Sequence, residues 1–172
     1  MNTSRKLLLA SGSIIAATAM ATSALAQATA TTSATASITI FQPITIVKNS
    51  DLQFGRVIRT STTATTYTVS ALDGSATVAG GNGIFNGSVV PTRAAFTVNG
   101  EGGQQFNITS DATVVNGGIT INLVTSAPSL NLSGSLGVAG SATFGVGGNV
   151  TLTSASSTGL KTGSFNVTVT YN

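Results

Sequence analysis

Between Ser164 and Asn172 the apolar residues occupy every second position. Phe165, Val167, Val169 and Tyr171 fall on one parity, and Asn166, Thr168, Thr170 and Asn172 on the other. A period of two predicts a β-strand with one face buried, which places those four side chains in a core. The same alternation recurs upstream. Ile38 and Ile40 alternate before Pro43, and Ile44 and Ile46 after it. Proline cannot donate to a ladder, so Pro43 marks an edge, a bulge or a change of sheet.

Further along, Leu52 and Phe54 share a face, and Tyr67, Val69 and Ala71 predict a strand ending at an Asp73-Gly74 turn. Residues 80–91 are turn-dense and read as a loop or a short hairpin. Ala94-Phe96-Val98 and Phe106-Ile108 predict two strands around a turn from Asn99 to Gly103. Ile119-Ile121-Leu123, Leu130-Leu132, Phe144-Val146 and Val150-Leu152 continue the series, with a break expected at Gly147-Gly148. No helical period follows residue 26. Turn signals every 8–12 residues or so predict an all-β chain, an immunoglobulin-like or pilin-like antiparallel β-sandwich.

The first residues follow a different pattern. Arg5 and Lys6 precede an apolar run from Leu7 to about Met20, and Ala24-Leu25-Ala26 has the small-x-small form of a signal-peptidase site. The run is short for a bilayer span of roughly 20 apolar residues. A leader over 1–26, an extension over 27–35 and one sandwich domain over 36–172 are the expected organisation. The product would be exported to the periplasm, the cell surface or an appendage of a Gram-negative bacterium.

Removing the leader also removes Arg5 and Lys6 from the seven basic residues that face four acidic ones. The near-neutral remainder has no electrostatic footprint for nucleic acid. There is no Cys and no His, so disulfides, thiol chemistry, imidazole ligation and Ser-His-Asp triads are excluded by composition. Asp51, Asp73, Glu101 and Asp111 are isolated in sequence, and Asp73 and Asp111 suit turns. Glu101 alone offers too few oxygens for calcium. With no Trp, and with Tyr67 and Tyr171 both in phase with apolar faces, a sugar-stacking surface is not expected. These features predict a non-catalytic protein without a cofactor or an evident small-molecule substrate.

Three stretches, "SITIFQPITIVKNSDLQFGRV", "AAFTVNGEGGQQFNIT" and "FGVGGNVTLTS…GSFNVTVTYN", resemble a family of small secreted bacterial domains known only as a domain of unknown function. The specific elements are Leu52-x-Phe54-Gly55, Gly147-Gly148 and the alternating ending. That ending is also similar to pilus subunits assembled by the chaperone–usher route, with an aromatic next to last (Tyr171) and a glycine fourteenth from the end (Gly159). The disulfide common in such subunits is absent, as is an adhesin-type domain.

The pilus resemblance implies a sandwich lacking one strand. A periplasmic chaperone at an outer-membrane usher, and then the N-terminal extension of the next subunit, would fill its groove by strand addition. Ala34, Ala36, Ile38 and Ile40 would belong to the donor. Gly159, Phe165, Val167, Val169 and Tyr171 would belong to the acceptor. Two alternatives stay open at this point. Ile38 and Ile40 could form the first strand of a closed, secreted binding module, or the chain could be a small outer-membrane β-barrel of eight strands of about 9–11 residues each.

Overall fold

A computed structural model describes residues 29–172; the leader expected over 1–26 lies outside them. The chain divides into two units, one ending at Ile38 and the other spanning Thr39–Asn172. Residues 29–38 carry no strand and are exposed throughout. All twelve described strands belong to the second unit: β1 (Thr45–Ser50), β2 (Arg56–Ile58), β3 (Thr65–Val69), β4 (Ala76–Ala79), β5 (Ile84–Asn86), β6 (Ala94–Glu101), β7 (Gln105–Ser110), β8 (Thr113–Asn116), β9 (Ile119–Thr125), β10 (Ser129–Asn131), β11 (Ala139–Leu152) and β12 (Val167–Tyr171).

Every pairing is antiparallel, and the described residues contain no helix. The all-β sandwich expected from the alternation is present. One layer holds β1-β6-β11 and the facing layer holds β10-β7-β12. Between them lie Ala94, Phe96 and Val98 from β6, Phe144 and Val146 from β11, and Phe106 and Ile108 from β7. Phe96 and Phe144 are register partners whose rings stack at 5.2 Å. Among the described residues these sheets run as open strand orders rather than closing on themselves, a sandwich arrangement and not the eight-stranded barrel of the alternative.

β11 organises the fold. Its first half pairs with β6 from Ala139 to Val146, and its second half pairs with β3 from Gly148 to Leu152. β9 takes residues 146–150. Val146 has partners in both β6 and β9, and Gly148–Val150 have partners in both β3 and β9. A backbone residue pairs once on each edge, so β6 and β3 share one edge end to end and β9 lies on the other. The break expected at Gly147-Gly148 does not occur. A Cβ on Gly147 would overlap the Val69 carbonyl oxygen, and one on Gly148 the Asn122 carbonyl oxygen. Glycine here admits close backbone neighbours within a continuous strand.

The second half of β11 carries a second core, with Tyr67, Ile119, Val150 and Leu152 buried against Phe54, Val57, Phe85 and Ile121. The Tyr67 ring meets Phe85 edge-on at 5.3 Å, and its hydroxyl donates to the Ile58 carbonyl at 2.5 Å. Burial pushes the Tyr67 phenol above its ordinary pKa. The Leu52-x-Phe54 step links the two cores, since Leu52 packs on the first and Phe54 on the second.

Three more expectations change. Ala94-Phe96-Val98 and Phe106-Ile108 are not paired neighbours, because β6 and β7 lie in different sheets and their side chains meet across the core. The turn-dense stretch 80–91 supplies β5, which pairs with β2. Ile38 and Ile40 form no strand: the first ladder begins at Thr45, beyond Pro43, and the two side chains are 84% and 76% exposed. The closed sandwich that would have used them as its first strand is therefore not the observed arrangement.

Candidate functional site

β1 ends one layer and β12 ends the other, and both edges border the same opening. Among the described residues, β1 pairs only with β6, from Thr45↔Asn99 to Ser50↔Ala95, and β12 pairs only with β7, from Val167↔Ser110 to Tyr171↔Phe106. The start of β12 is fixed by Asp111, whose carboxylate accepts the Asn166 N–H at 2.7 Å while its own N–H donates to the Asn166 carbonyl at 3.1 Å. Alternation then turns Val167, Val169 and Tyr171 inward, and leaves Thr168 and Thr170 outside.

The inward side chains at both edges are incompletely covered. Ile44 and Ile46 on one side, and Phe165, Val167, Val169 and Tyr171 on the other, pack on the core yet stay only partly buried. Phe106 and Val98, one strand further in, are fully buried. The difference is a groove of about 360 Å³ whose walls include Ile46, Leu52, Ala94, Phe96, Phe165 and Val167. Its rim carries Lys48 and Asp51, paired at 2.6 Å and both more than half exposed. Main-chain donors and acceptors along a free edge, with apolar side chains below, can accept an extended chain by hydrogen bonding and burial together. Among the described residues, no cluster of three His, Cys, Asp or Glu side chains could hold a metal.

The structure divides the residues singled out from the sequence. Phe165, Val167, Val169 and Tyr171 come together as one wall, although Phe165 precedes the strand instead of opening it. Gly159 does not join them. It sits in the loop before β12 with a φ of 94° and no neighbour within 4 Å of the place a Cβ would occupy. It lies at a bend and belongs to none of the described strands. Gly163, which sequence reasoning passed over, lines the groove and packs against Val114. Ala34, Ala36, Ile38 and Ile40 are all exposed and unpaired.

Glu101 is the residue whose position the sequence did not reveal. It closes β6 and is 1% exposed. One carboxylate oxygen accepts the Gln42 N–H at 3.1 Å and the other accepts the Gly137 N–H. Its own N–H donates to the Tyr171 hydroxyl at 2.6 Å, and that hydroxyl donates to the Gln42 carbonyl at 2.8 Å. The flanking glycines were the available clue. A Cβ on Gly100 would overlap the Tyr171 hydroxyl, and one on Gly102 would meet the Val138, Ser135 and Ser133 carbonyls.

No curated protein and no solved structure matches the chain. A family model described as a domain of unknown function, DUF4402, matches residues 44–171, a span that takes in both walls of the groove. The chain belongs to that family.

Proposed function

We propose that the protein is a non-catalytic, exported structural subunit of a surface appendage or extracellular layer, and that it assembles by β-strand addition. The observation that carries this reading is the pair of free edges, β1 and β12, facing each other across a groove lined by Ile46, Leu52, Phe96, Phe165 and Val167, with Lys48, Asp51 and Ser164 beside them. Such edges are normally shielded by charge, proline or a covering element. Here the inward side chains of both edges are left half covered. An added strand would complete their burial, and each large aliphatic side chain so covered stabilises by up to roughly 1.5–3 kcal/mol.

The occupant is the extension of a second copy. Residues 29–40 form no strand and are exposed, and their even positions carry Ala30, Ala34, Ala36, Ile38 and Ile40, with Thr32 the one polar member. One parity of small and branched apolar residues suits one inward-facing row. Two large aliphatic side chains left at 84% and 76% exposure support burial in a partner. A periplasmic chaperone at an outer-membrane usher would occupy the groove before the next subunit does.

The test is the size distribution of protein sheared from cells. Wild type is expected to give a ladder, and deletion of residues 27–37 is expected to abolish it while leaving folded, exported monomer. Monomer from both would overturn the reading.

A further inference from the structure

The hydrogen bonds of Glu101 and Tyr171 hold one residue, Gln42, by both its N–H and its carbonyl. The Gln42 N–H is taken by the Glu101 carboxylate, and the Gln42 carbonyl by the Tyr171 hydroxyl. The Phe41 ring stands edge-on to Tyr171 at 5.7 Å. A β-ladder grips a residue in the same two-sided way. The ladder between β1 and β6 stops at Thr45↔Asn99, and Pro43 cannot donate to prolong it. Two side chains therefore resume the bonding immediately before the proline.

The choice of glutamate is specific. Burying a carboxylate without a cation is costly, and among the described residues Glu101 makes no ion pair. Its two oxygens meet two backbone N–H donors, Gln42 and Gly137, which is the charge-assisted arrangement that offsets such burial. A glutamine would turn an NH₂ toward one of those donors and leave it unsatisfied.

We propose that Glu101 and Tyr171 form an anchoring site for the Gln42 peptide. The site fixes the root of the extension at the tip of β12 and gives assembly between copies a head-to-tail polarity. The polarity rests on the strand-addition reading above; the anchoring does not. β12 runs away from the Phe165 end of the groove, and from Val167 to Tyr171 it spans roughly 13 Å at the usual rise per residue. The groove walls at Ile46, Leu52, Ala94 and Phe96 lie with Phe165 and Val167, whereas Phe41 and Gln42 are tied beside Tyr171. Donor root and acceptor opening therefore sit at opposite ends of one strand, which is a heterologous interface that propagates instead of closing. Glu101 and Tyr171 are positioning residues in this scheme.

The experiment uses the chain from Gln27, with Glu101→Gln and Tyr171→Phe as variants. In wild type, the Gln42 amide is expected to exchange at least about tenfold more slowly than the Phe41 amide, as expected for a charge-assisted hydrogen bond. Each variant should weaken that protection, Glu101→Gln by disturbing the acceptor of the Gln42 N–H and Tyr171→Phe by freeing the Gln42 carbonyl, and leave the Val98 amide unchanged. Because the chain has no cysteine, spin labels at Thr39→Cys and Thr143→Cys report the root directly. Their distance distribution should be narrow in the wild-type background and broad in both variants. Sheared polymers of Tyr171→Phe should be shorter than those of wild type.

Equal exchange of Gln42 and Phe41 in wild type, or wild-type exchange and distance width in both variants, would overturn the anchoring site. A freed Gln42 amide with polymers of unchanged length would overturn the polarity. Absence of polymer from wild type would reject strand addition and the polarity with it, while leaving the anchoring site to be judged by exchange.

Discussion

The Tyr171 hydroxyl occupies the space where Gly100 would carry a Cβ. From there it bonds to the Glu101 N–H and the Gln42 carbonyl. The last strand of one layer thus reaches the end of β6 in the other, through a residue whose lack of a side chain is the condition for contact. Gly100→Ala should push the Tyr171 ring away and destabilise the domain by about 1–3 kcal/mol, the usual cost of overpacking. Urea unfolding followed by tyrosine fluorescence measures this. Tyr171→Phe, which shortens the same side chain, should partly restore Gly100→Ala, and a simple sum of the two losses would contradict the steric account.

Two phenylalanines of the same core should respond very differently to truncation. Phe106 is fully buried on β7, whereas Phe165 is partly buried on the wall of the groove. Phe106→Ala is expected to cost about 3–5 kcal/mol. Phe165→Ala should cost roughly half of that or less in the isolated subunit, because solvent already reaches the ring. Its larger effect should appear on assembly, where the ring would be covered. Denaturation midpoints of the two variants provide the comparison, and equal losses would mean that the groove is closed in solution.

Asp73 gives a pH prediction with a definite sign. Hydrogen bonds from the Ser70 side chain, and from the Ser75 N–H and hydroxyl, lower its pKa from 3.8 to about 2. A carboxylate depressed in the folded state adds stability that is fully present above its unfolded value. That stability is lost as pH falls through the folded value. Stability should therefore decline between about pH 4 and pH 2 through this turn, and Asp73→Asn should flatten the decline in that window. Carboxyl chemical shifts measure the titration directly; a midpoint near 3.8 would contradict it.

The period-two signal was enough to locate most core residues, because alternation is a local property that burial on one face imposes. Phe96, Val98, Phe106, Ile108, Phe144 and Val146 were legible for that reason. What pairs with what was not. Phe96-Val98 and Phe106-Ile108 alternate equally well in a hairpin or in facing layers, and only the tertiary fold separates these. Gly147-Gly148 looked like punctuation because a close backbone neighbour leaves the same residue as a turn does. For the groove, the alternation at β12 was visible, but the empty neighbouring position on its free edge was not. Glu101 was hidden most completely, since nothing local marks a carboxylate whose partners are backbone groups at Gln42 and Gly137.

Alternation also supplies the sharpest test of the donor. Ala36 and Ser37 are adjacent, and both are exposed in the free subunit. A charge at either position leaves the fold of the second unit untouched, so Ala36→Asp and Ser37→Asp should both melt at the wild-type temperature. In an added strand the two positions face opposite ways. Asp at 36 would enter the groove beside Ile46, Phe96 or Val167, at a cost of several kcal/mol for a charge turned toward apolar side chains. Asp at 37 would point to solvent and cost almost nothing. Sheared polymer should therefore vanish for Ala36→Asp and persist for Ser37→Asp. If the two variants polymerise alike, residues 29–40 do not enter the groove as a strand in this register, and the even-position pattern from Ala30 to Ile40 needs another cause.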